Sequence, residues 1–207
     1  MSSKPVIGVD LDGTVLDCRP RQQAVTLQLV PDATPHADAL WCFKREGCST
    51  RDALRKLDLA IPEHFDQNWM HLIERSRYLG LDAALPGAPA ALRALSSVAD
   101  LHLITARQNA KGVHDTLARL ALDPCFTQVS VVPVGPDSAK TKADCLRATG
   151  AVAHCGDSEV DGRSAAMAGI PFWAVTSGQR SETFLLRHTA PARLAPSLHA
   201  IAEAHDA

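Results

Sequence analysis

The chain has 207 residues, and its 21 lysine and arginine residues against 23 aspartate and glutamate residues give a formal charge of −2. This length suits one good-sized hydrophobic core, or a core domain that carries a smaller insertion. The balanced charge lacks the basic surface of a protein that binds nucleic acid, and no run of eighteen apolar residues is present to span a membrane. We therefore expect neither a nucleic-acid nor a membrane partner.

The six cysteines are scattered along the chain, without a Cys-x-x-Cys pair and without the spacing to histidine that is typical of zinc sites. The first residues, 1–5, lead directly into an apolar strand and lack the apolar region and cleavage site of a signal peptide. We therefore expect reduced thiols and a cytoplasmic protein. No pattern in the sequence predicts an oligomeric state.

Two aspartates follow the first predicted strand, residues 6–9, which is short, rich in β-branched residues and uncharged. Side chains alternate along an extended backbone, so Asp10 and Asp12 should lie on the same side. Two neighbouring carboxylates are unfavourable unless a cation neutralises them or one keeps its proton. Gly13 permits a sharp turn, and Thr14 can hydrogen-bond the backbone or a bound anion. Taken alone, the pattern also fits a polar strand end with solvated aspartates.

The next stretch, residues 18–85, shows no convincing strand and contains most of the aromatic residues. Predicted helices cover residues 37–45 and 50–57, with Ser49 as N-cap of the second, and a longer helix opens at Pro62. Residues 21–30 fit either a helix or an extended segment. We interpret the aromatic residues as the core of a small helical bundle, with one of them facing a substrate as an alternative: Trp41, Phe43, Phe65, Trp69 and Tyr78.

From residue 86 onward, predicted strands and helices alternate. The strands cover residues 101–105, 129–132, 152–155 and 170–175. The helices cover residues 90–95, 108–120, 143–148, 160–168, 181–187 and 196–204. Such alternation indicates parallel strands joined by right-handed crossovers, with helices on both faces. The fold class predicted from the sequence is therefore α/β, with a Rossmann-like, doubly wound parallel sheet and an inserted helical segment.

Ligands bind at the carboxyl ends of the strands in such sheets, and Asp10, Thr105 and Asp157 all lie at predicted strand ends. Asp157 and Asp161 are four residues apart across the start of a helix and so share a face. Asp161 also fits a purely structural interaction with the helix dipole. Lys142 opens a predicted helix. Carboxylates, a hydroxyl, a lysine and helix N-termini are the groups needed to hold a phosphoryl group and a hard divalent cation.

These residues, taken in order, resemble the four motifs of the haloacid-dehalogenase-like (HAD) hydrolases. The motifs are Asp10-Leu11-Asp12-Gly13-Thr14, then Thr105, then Lys142, then Gly156-Asp157 with Asp161. The resemblance covers the chain outside the insertion, which lies where that family places its helical (C1-type) cap. It implies an α/β core domain of residues 1–17 and 86–207, a helical cap domain of residues 18–85, and membership of the phosphoglycolate-phosphatase-like subgroup.

The resemblance implies a magnesium-dependent phosphatase that acts on a small phosphorylated metabolite through an aspartyl-phosphate. Asp10 would attack phosphorus, and Asp12 would protonate the leaving alcohol and then deprotonate the hydrolytic water. Thr105 and the adjacent backbone at Ala106 would bind the phosphoryl oxygens. Lys142 would bind the phosphate and offset the negative charge of the site.

The metal implied by the resemblance is Mg²⁺. Its expected ligands are the Asp10 carboxylate, the backbone carbonyl of Asp12 and the Asp157 carboxylate, with Asp161 bound through water. Phosphoryl transfer needs mainly positioning and charge neutralisation, which this set of groups supplies.

Two assignments stay open in the sequence. Lys140 and Lys142 both lie near the third motif, and the residues that follow Lys142 favour it. Arg107 follows the second motif and fits either a contact with a second anionic group of the substrate or an arginine that is solvated or covers the sheet. Two other functions also stay open: a phosphomutase that uses the same intermediate, and a non-catalytic binding protein on the same fold.

Overall fold

A computed structural model describes residues 4–189 and 192–205 of the chain. Its strands, in chain order, are β1 (Val6–Val9), β2 (Leu16–Asp17), β3 (Ala83–Ala84), β4 (Asp100–Ala106), β5 (Gln128–Val132), β6 (Ala151–Gly156), β7 (Phe172–Val175) and β8 (Ala192–Ala195). Its α-helices are α1 (Arg19–Leu29), α2 (Ala37–Arg45), α3 (Thr50–Lys56), α4 (Phe65–Ile73), α5 (Ser76–Leu79), α6 (Ala88–Val98), α7 (Ala110–Arg119), α8 (Ser138–Ala148), α9 (Glu159–Ala168), α10 (Glu182–His188) and α11 (Leu198–His205). Short 3₁₀ helices cover Pro31–His36 and Asp123–Cys125.

Six of these strands form one parallel sheet in the order β5-β4-β1-β6-β7-β8. The first strand lies in the middle, with Val9 opposite Leu103 of β4 on one side and Cys155 of β6 on the other. The chain first builds the sheet outward from β1 through β4 and β5, and then continues from β6 on the opposite side. The strand order therefore reverses between β1 and β6, which is where open α/β sheets form their ligand crevice.

Helices cover both faces of the sheet. Leu101 and Leu103 of β4 pack with buried residues of α6, α7 and α11. Ile104, which points to the other face, packs instead against Leu146 of α8. Both faces of the central strands are therefore buried, which explains why these strands are continuous apolar runs. The parallel α/β sheet with a helical insertion confirms the predicted fold class.

The insertion consists of α1 to α5 and lies between β2 and β3, which pair antiparallel at Leu16–Ala84 and Asp17–Ala83. It contains two apolar clusters of its own, one around Leu54 and Phe65 and the other around Val25, Ile73 and Tyr78. The short strand β3 corrects the prediction that residues 18–85 contain no strand. The division into a core domain (1–17 and 86–207) and a cap domain (18–85) stays a prediction.

Several element boundaries differ from the sequence prediction. Pro62 does not open a helix: it forms a turn in which its carbonyl accepts from the Phe65 backbone N–H at 3.1 Å, and α4 begins at Phe65. Residues 21–29 are helical rather than extended, and Val30 is the C-cap. Lys142 lies in the second turn of α8 and does not open it, because that helix begins at Ser138. The edge strand β8 was not predicted.

The predicted N-cap is confirmed, since Ser49 Oγ accepts from the Asp52 backbone N–H at 3.1 Å.

None of the helices in the described ranges combines the length and the apolar character that a membrane span requires.

Candidate active site

A cavity of about 410 Å³ lies between the carboxyl edge of the sheet and the insertion. The residues that the sequence predicted for the site all line it from the sheet side: Asp10, Asp12, Thr105, Ala106, Lys142, Asp157 and Asp161. The insertion contributes the facing wall through Arg21, Gln22, Lys44, Trp69, Met70, Ile73 and Glu74. The structure thus brings together residues from four separate parts of the sequence, as expected from the strand ends that carry them.

Lys142 is the lysine that reaches the centre of the site. Its Nζ donates to Asp10 Oδ1 at 2.6 Å and to Asp161 Oδ1 at 2.7 Å. Burial acts to lower the pKa of Lys142, but the two carboxylates outweigh this effect and raise it well above the usual lysine value. Lys140 is exposed on the same helix and does not line the cavity. Of these two lysines, Lys142 is therefore the one placed to offset charge at Asp10.

Asp10 lies just beyond the last residue of β1, and its backbone N–H donates to the Cys155 carbonyl at 2.9 Å. This bond fixes the end of β1 against β6. Burial raises the pKa of the Asp10 carboxyl to about 7, with a further contribution from Asp161, while Lys142 acts in the opposite direction. The Asp10 carboxylate is thus held in a position where another cation would stabilise it.

Asp157 is almost fully buried and has one oxygen without a partner. Its Oδ2 accepts from the Gln179 backbone N–H at 2.5 Å, whereas Oδ1 has no hydrogen-bond partner. Burial, together with repulsion from Asp10 and Asp161, raises the pKa of Asp157 well above its usual value. A buried carboxylate oxygen without a donor is the chemistry expected of a cation ligand.

Gly13 allows the first motif to approach Asp157 this closely. Its φ of +88° lies in the left-handed region, and a Cβ built on it would lie 1.9 Å from Asp157 Oδ2. Any side chain at this position would therefore both strain the turn and displace the carboxylate. The glycine that sequence analysis assigned to a turn also makes room for Asp157.

Asp161 serves the helix and the site together. Its Oδ2 accepts from the backbone N–H and the hydroxyl of Ser158 at 3.2 and 2.5 Å, while its Oδ1 faces Lys142 and also lies 3.4 Å from His154 Nε2. Burial acts to raise the pKa of Asp161, but Lys142 and His154 hold it below the usual range. The structural interaction at the helix N-terminus and the placement in the site are both observed.

Carboxylate oxygens of Asp10, Asp157 and Asp161 lie within 4.8 Å of one another. Oxygen ligands clustered at this spacing fit Mg²⁺, which binds a few carboxylates and completes its shell with water. The unpartnered Asp157 Oδ1 supports this fit. The Asp12 backbone carbonyl, also expected as a ligand, accepts from Gln179 Nε2 at 3.1 Å.

Asp12 belongs to a buried cluster of four charges that the sequence did not predict. Its side chain accepts from Arg21 Nη2 at 2.5 Å and from Arg107 Nε and Nη2 at 2.8 and 2.6 Å. Both arginines also donate to Asp82, at 2.9 and 3.1 Å. Burial acts to raise the pKa of Asp12, but Arg107 and Arg21 lower it far below the usual range. Arg107 is 2 % exposed, which excludes a solvated arginine but not one that covers the sheet.

The two threonines of the predicted motifs are both buried. Thr105 is buried near the end of β4, opposite Val131 of β5. Two residues further on, Arg107 donates its backbone N–H to the Val132 carbonyl at 3.1 Å. This bond holds the end of β4 against β5. Thr14 Oγ1 is buried without a hydrogen-bond partner. Thr105 is the last residue but one of β4, and Thr14 lies in the segment between β1 and β2.

The chain matches no family model and no curated protein. Solved structures do match along its whole length. A haloacid-dehalogenase-like hydrolase from Streptococcus pneumoniae superposes with a TM-score of 0.75 at 19% identity, covering 99% of this chain and 100% of that one. A protein from Haemophilus somnus described as a predicted phosphoglycolate phosphatase gives a TM-score of 0.72 at 17% identity, with 99% of each chain covered.

A protein from Thermotoga maritima that is predicted to be a β-phosphoglucomutase gives a TM-score of 0.66 at 21% identity, with 98% of each chain covered. All three matches extend over the sheet and the insertion alike. The residues of the four motifs lie around one cavity at the switch point of the sheet. The chain therefore has the fold of the haloacid-dehalogenase-like hydrolases.

Proposed function

We propose that the protein is a Mg²⁺-dependent phosphatase that hydrolyses a small phosphorylated metabolite through an aspartyl-phosphate on Asp10. One observation carries the proposal: Asp10, at the end of the central strand, lies 2.6 Å from a buried lysine and within 4.8 Å of two further carboxylates. A nucleophile, a fixed positive charge and a cation site thus meet at one point. These are the groups that phosphoryl transfer requires.

In the first step, an Asp10 carboxylate oxygen forms a bond to phosphorus while the bond from phosphorus to the leaving oxygen breaks. In the second step, water attacks the same phosphorus and frees the Asp10 carboxylate. Asp12 is the group proposed to move protons, to the leaving oxygen and then from the water. Its ion pairs with Arg21 and Arg107 stabilise the carboxylate, which is the form that accepts the proton from water.

Lys142 is proposed to stabilise negative charge on Asp10 and on the phosphoryl oxygens. Thr105 and the backbone at Ala106 are proposed to bind those oxygens from the β4 side, since both residues line the cavity. When bound, Mg²⁺ would neutralise charge between the nucleophile and the phosphate. The residues proposed to hold it are Asp10 and Asp157 with the Asp12 carbonyl, and Asp161 through water.

A small substrate is supported by the size of the cavity, which at about 410 Å³ lies at the lower end of the range for small-molecule sites. It is supported further by the neighbours in fold, one of which is described as a predicted phosphoglycolate phosphatase. The substrate class proposed is therefore a short phosphate monoester.

The test is release of inorganic phosphate from a panel of sugar, nucleotide and short-acid phosphates, with and without Mg²⁺. We expect turnover that requires the metal and is abolished in Lys142→Met, while Lys140→Met, the matched change of an exposed lysine on the same helix, retains it. Full activity on an aryl phosphate after exhaustive chelation would contradict the proposal. Transfer of the phosphoryl group to an added sugar phosphate rather than to water would identify a mutase instead.

A further inference from the structure

Four cationic side chains line the cavity, and three of them are paired with carboxylates. Arg21 and Arg107 bind Asp12 and Asp82, and Lys142 binds Asp10 and Asp161. The fourth is Lys44 of α2, in the insertion. Among the described residues, no carboxylate lies within ion-pair distance of its ammonium group. In the described part of the chain, Lys44 is therefore the cavity-lining cation without an ion-pair partner.

The position of Lys44 is fixed by the residues beside it. Arg45 Nη2 donates to the Thr176 carbonyl at 2.9 Å, and the Arg45 carbonyl accepts from the Ser181 backbone N–H at 2.8 Å. The Lys44 carbonyl itself accepts from Arg180 Nη1 at 2.9 Å. These bonds join the end of α2 to the loop that follows β7. Lys44 is thus held against the sheet rather than carried on a loose part of the insertion.

The surroundings of Lys44 compensate its charge only in part, through Asp157 and Glu159. The side chain is half-buried, and Arg180 adds a second positive charge nearby, although Arg180 is itself paired with Glu159 at 2.8 Å. Burial, followed by Arg180, lowers the pKa of Lys44 to about 8. A desolvated, unpaired ammonium is unfavourable in the free protein. An anion that entered the cavity would relieve this cost.

Taking the proposed function as given, we propose that Lys44 binds a second anionic group of the substrate, a carboxylate or a second phosphate, while the phosphoryl group to be transferred lies at Asp10. Cavity-lining cations lie on both sides of the site. Lys142 and Thr105 lie on the sheet side, whereas Lys44 reaches in from the insertion. Lys44 is then a residue that selects doubly anionic substrates.

The test compares the phosphate monoester of glycolic acid with that of glycolamide, which has the same shape but lacks the carboxylate charge. We expect the wild-type protein to prefer the acid, and Lys44→Met to lose about tenfold to a hundredfold in kcat/KM for the acid, mainly through KM. For the amide the loss should stay below about threefold, because no charge-assisted hydrogen bond is removed. Lys44→Arg should keep the preference.

A second pair of substrates, propane-1,3-diol bisphosphate and its monophosphate, shows whether the second anion is a phosphate rather than a carboxylate. The matched control is Lys56→Met, an exposed lysine of the same insertion that does not line the cavity. Lys56→Met should leave kcat/KM unchanged for all four substrates.

Equal losses of Lys44→Met on charged and neutral substrates would show a structural role and overturn the inference. The inference would also be overturned if the wild-type protein showed no preference for the more highly charged substrate of either pair. This measurement requires no variant. Failure of the proposed function is distinct, since no phosphate would then be released from any ester.

Discussion

Arg107 binds Asp12 through two parallel hydrogen bonds, from Nε to Oδ2 at 2.8 Å and from Nη2 to Oδ1 at 2.6 Å. This two-point contact fixes both oxygens of the second aspartate in the first motif. Arg21 of the insertion adds a third bond to the same carboxylate. The side chain proposed to move protons is thus positioned by one arginine of the sheet and one of the insertion.

The buried charges around Arg107 predict a large loss of stability when the arginine is removed. In Arg107→Met, Asp12 and Asp82 share Arg21 alone, so the free energy of unfolding should fall by about 3–5 kcal/mol. Urea unfolding at pH 7 measures it. Arg107→Met combined with Asp82→Asn should recover most of the loss, because no surplus carboxylate then remains buried.

The control for this prediction is Arg147→Met, which removes an exposed ion pair to Asp144. Exposed pairs contribute little, so this variant should lose less than about 1 kcal/mol. A loss in Arg107→Met no larger than in Arg147→Met would contradict the importance of the cluster.

Substitutions of the two aspartates in the first motif should impair different steps of the reaction. Asp10→Asn should remove both turnover and any covalent intermediate, because an amide is a poor nucleophile. Asp12→Asn should slow the hydrolysis of the intermediate by about a hundred- to ten-thousand-fold. It should therefore accumulate phosphorylated protein with an aryl phosphate, whose leaving group needs no proton. Intact mass after acid quench should show one added phosphoryl group, which maps to Asp10.

Gly13 should be required for metal binding because of its distance to Asp157. In Gly13→Ala, the new Cβ would displace the Asp157 carboxylate, so the Kd for Mg²⁺ should rise by about tenfold to a hundredfold. Gly150→Ala is the matched control, since its φ of +66° is also left-handed but its Cβ would meet no atom within 4 Å. Calorimetric titration with Mg²⁺ should show normal affinity there. Equal weakening in both variants would point to backbone strain alone.

The stability of the protein should depend on Lys44 in a defined pH range. Its pKa is about 8 in the folded protein and 10.5 in the unfolded chain, so between these values the unfolded state binds more protons and stability rises with pH. Lys44→Met should therefore melt at a higher Tm than wild type at pH 7, and this advantage should disappear as the pH rises from 8 to 10.5.

The charged and titratable groups that influence Lys44 are Arg180, Cys18, Asp157 and Glu159. These groups are the same in the wild type and in Lys44→Met, so the difference in Tm between the two proteins reports the contribution of Lys44. Lys56→Met should show no such pH dependence. A difference that stays constant from pH 7 to 10.5 would show that Lys44 titrates normally.

The sequence predicted the parts of the site that depend on local pattern. Asp10 and Asp157 each follow a β-branched or apolar run that ends at the same edge of a parallel sheet, so topology alone brings them together. Ser49 precedes an acidic residue at the spacing of an N-cap, and it caps its helix as an observed hydrogen-bond acceptor. Periodicity and capping are properties of neighbouring residues and are therefore visible in one sequence.

The cluster around Asp12 could not be predicted in the same way. Arg21 lies on α1 and Asp82 precedes β3, far apart in the chain, and neither stands in a local pattern that indicates burial. Their burial depends on each other and on Arg107, which only the packing of the insertion onto the sheet brings about. Lys44 was missed for a related reason, since a lysine near the end of a helix ordinarily faces solvent and stabilises the helix dipole.

The pairing of β2 with β3 has a consequence for how the molecule can change. Leu16 and Ala84 lie opposite each other in this pairing, so the insertion begins and ends at almost the same point. The entropy of closing such a loop grows only with the logarithm of its length, by about 0.6 kcal/mol for each doubling. Helices between these two strands can therefore be lengthened, shortened or replaced with little effect on the register of β1. Substrate selection can diverge through the insertion while the strand that carries Asp10 stays as it is.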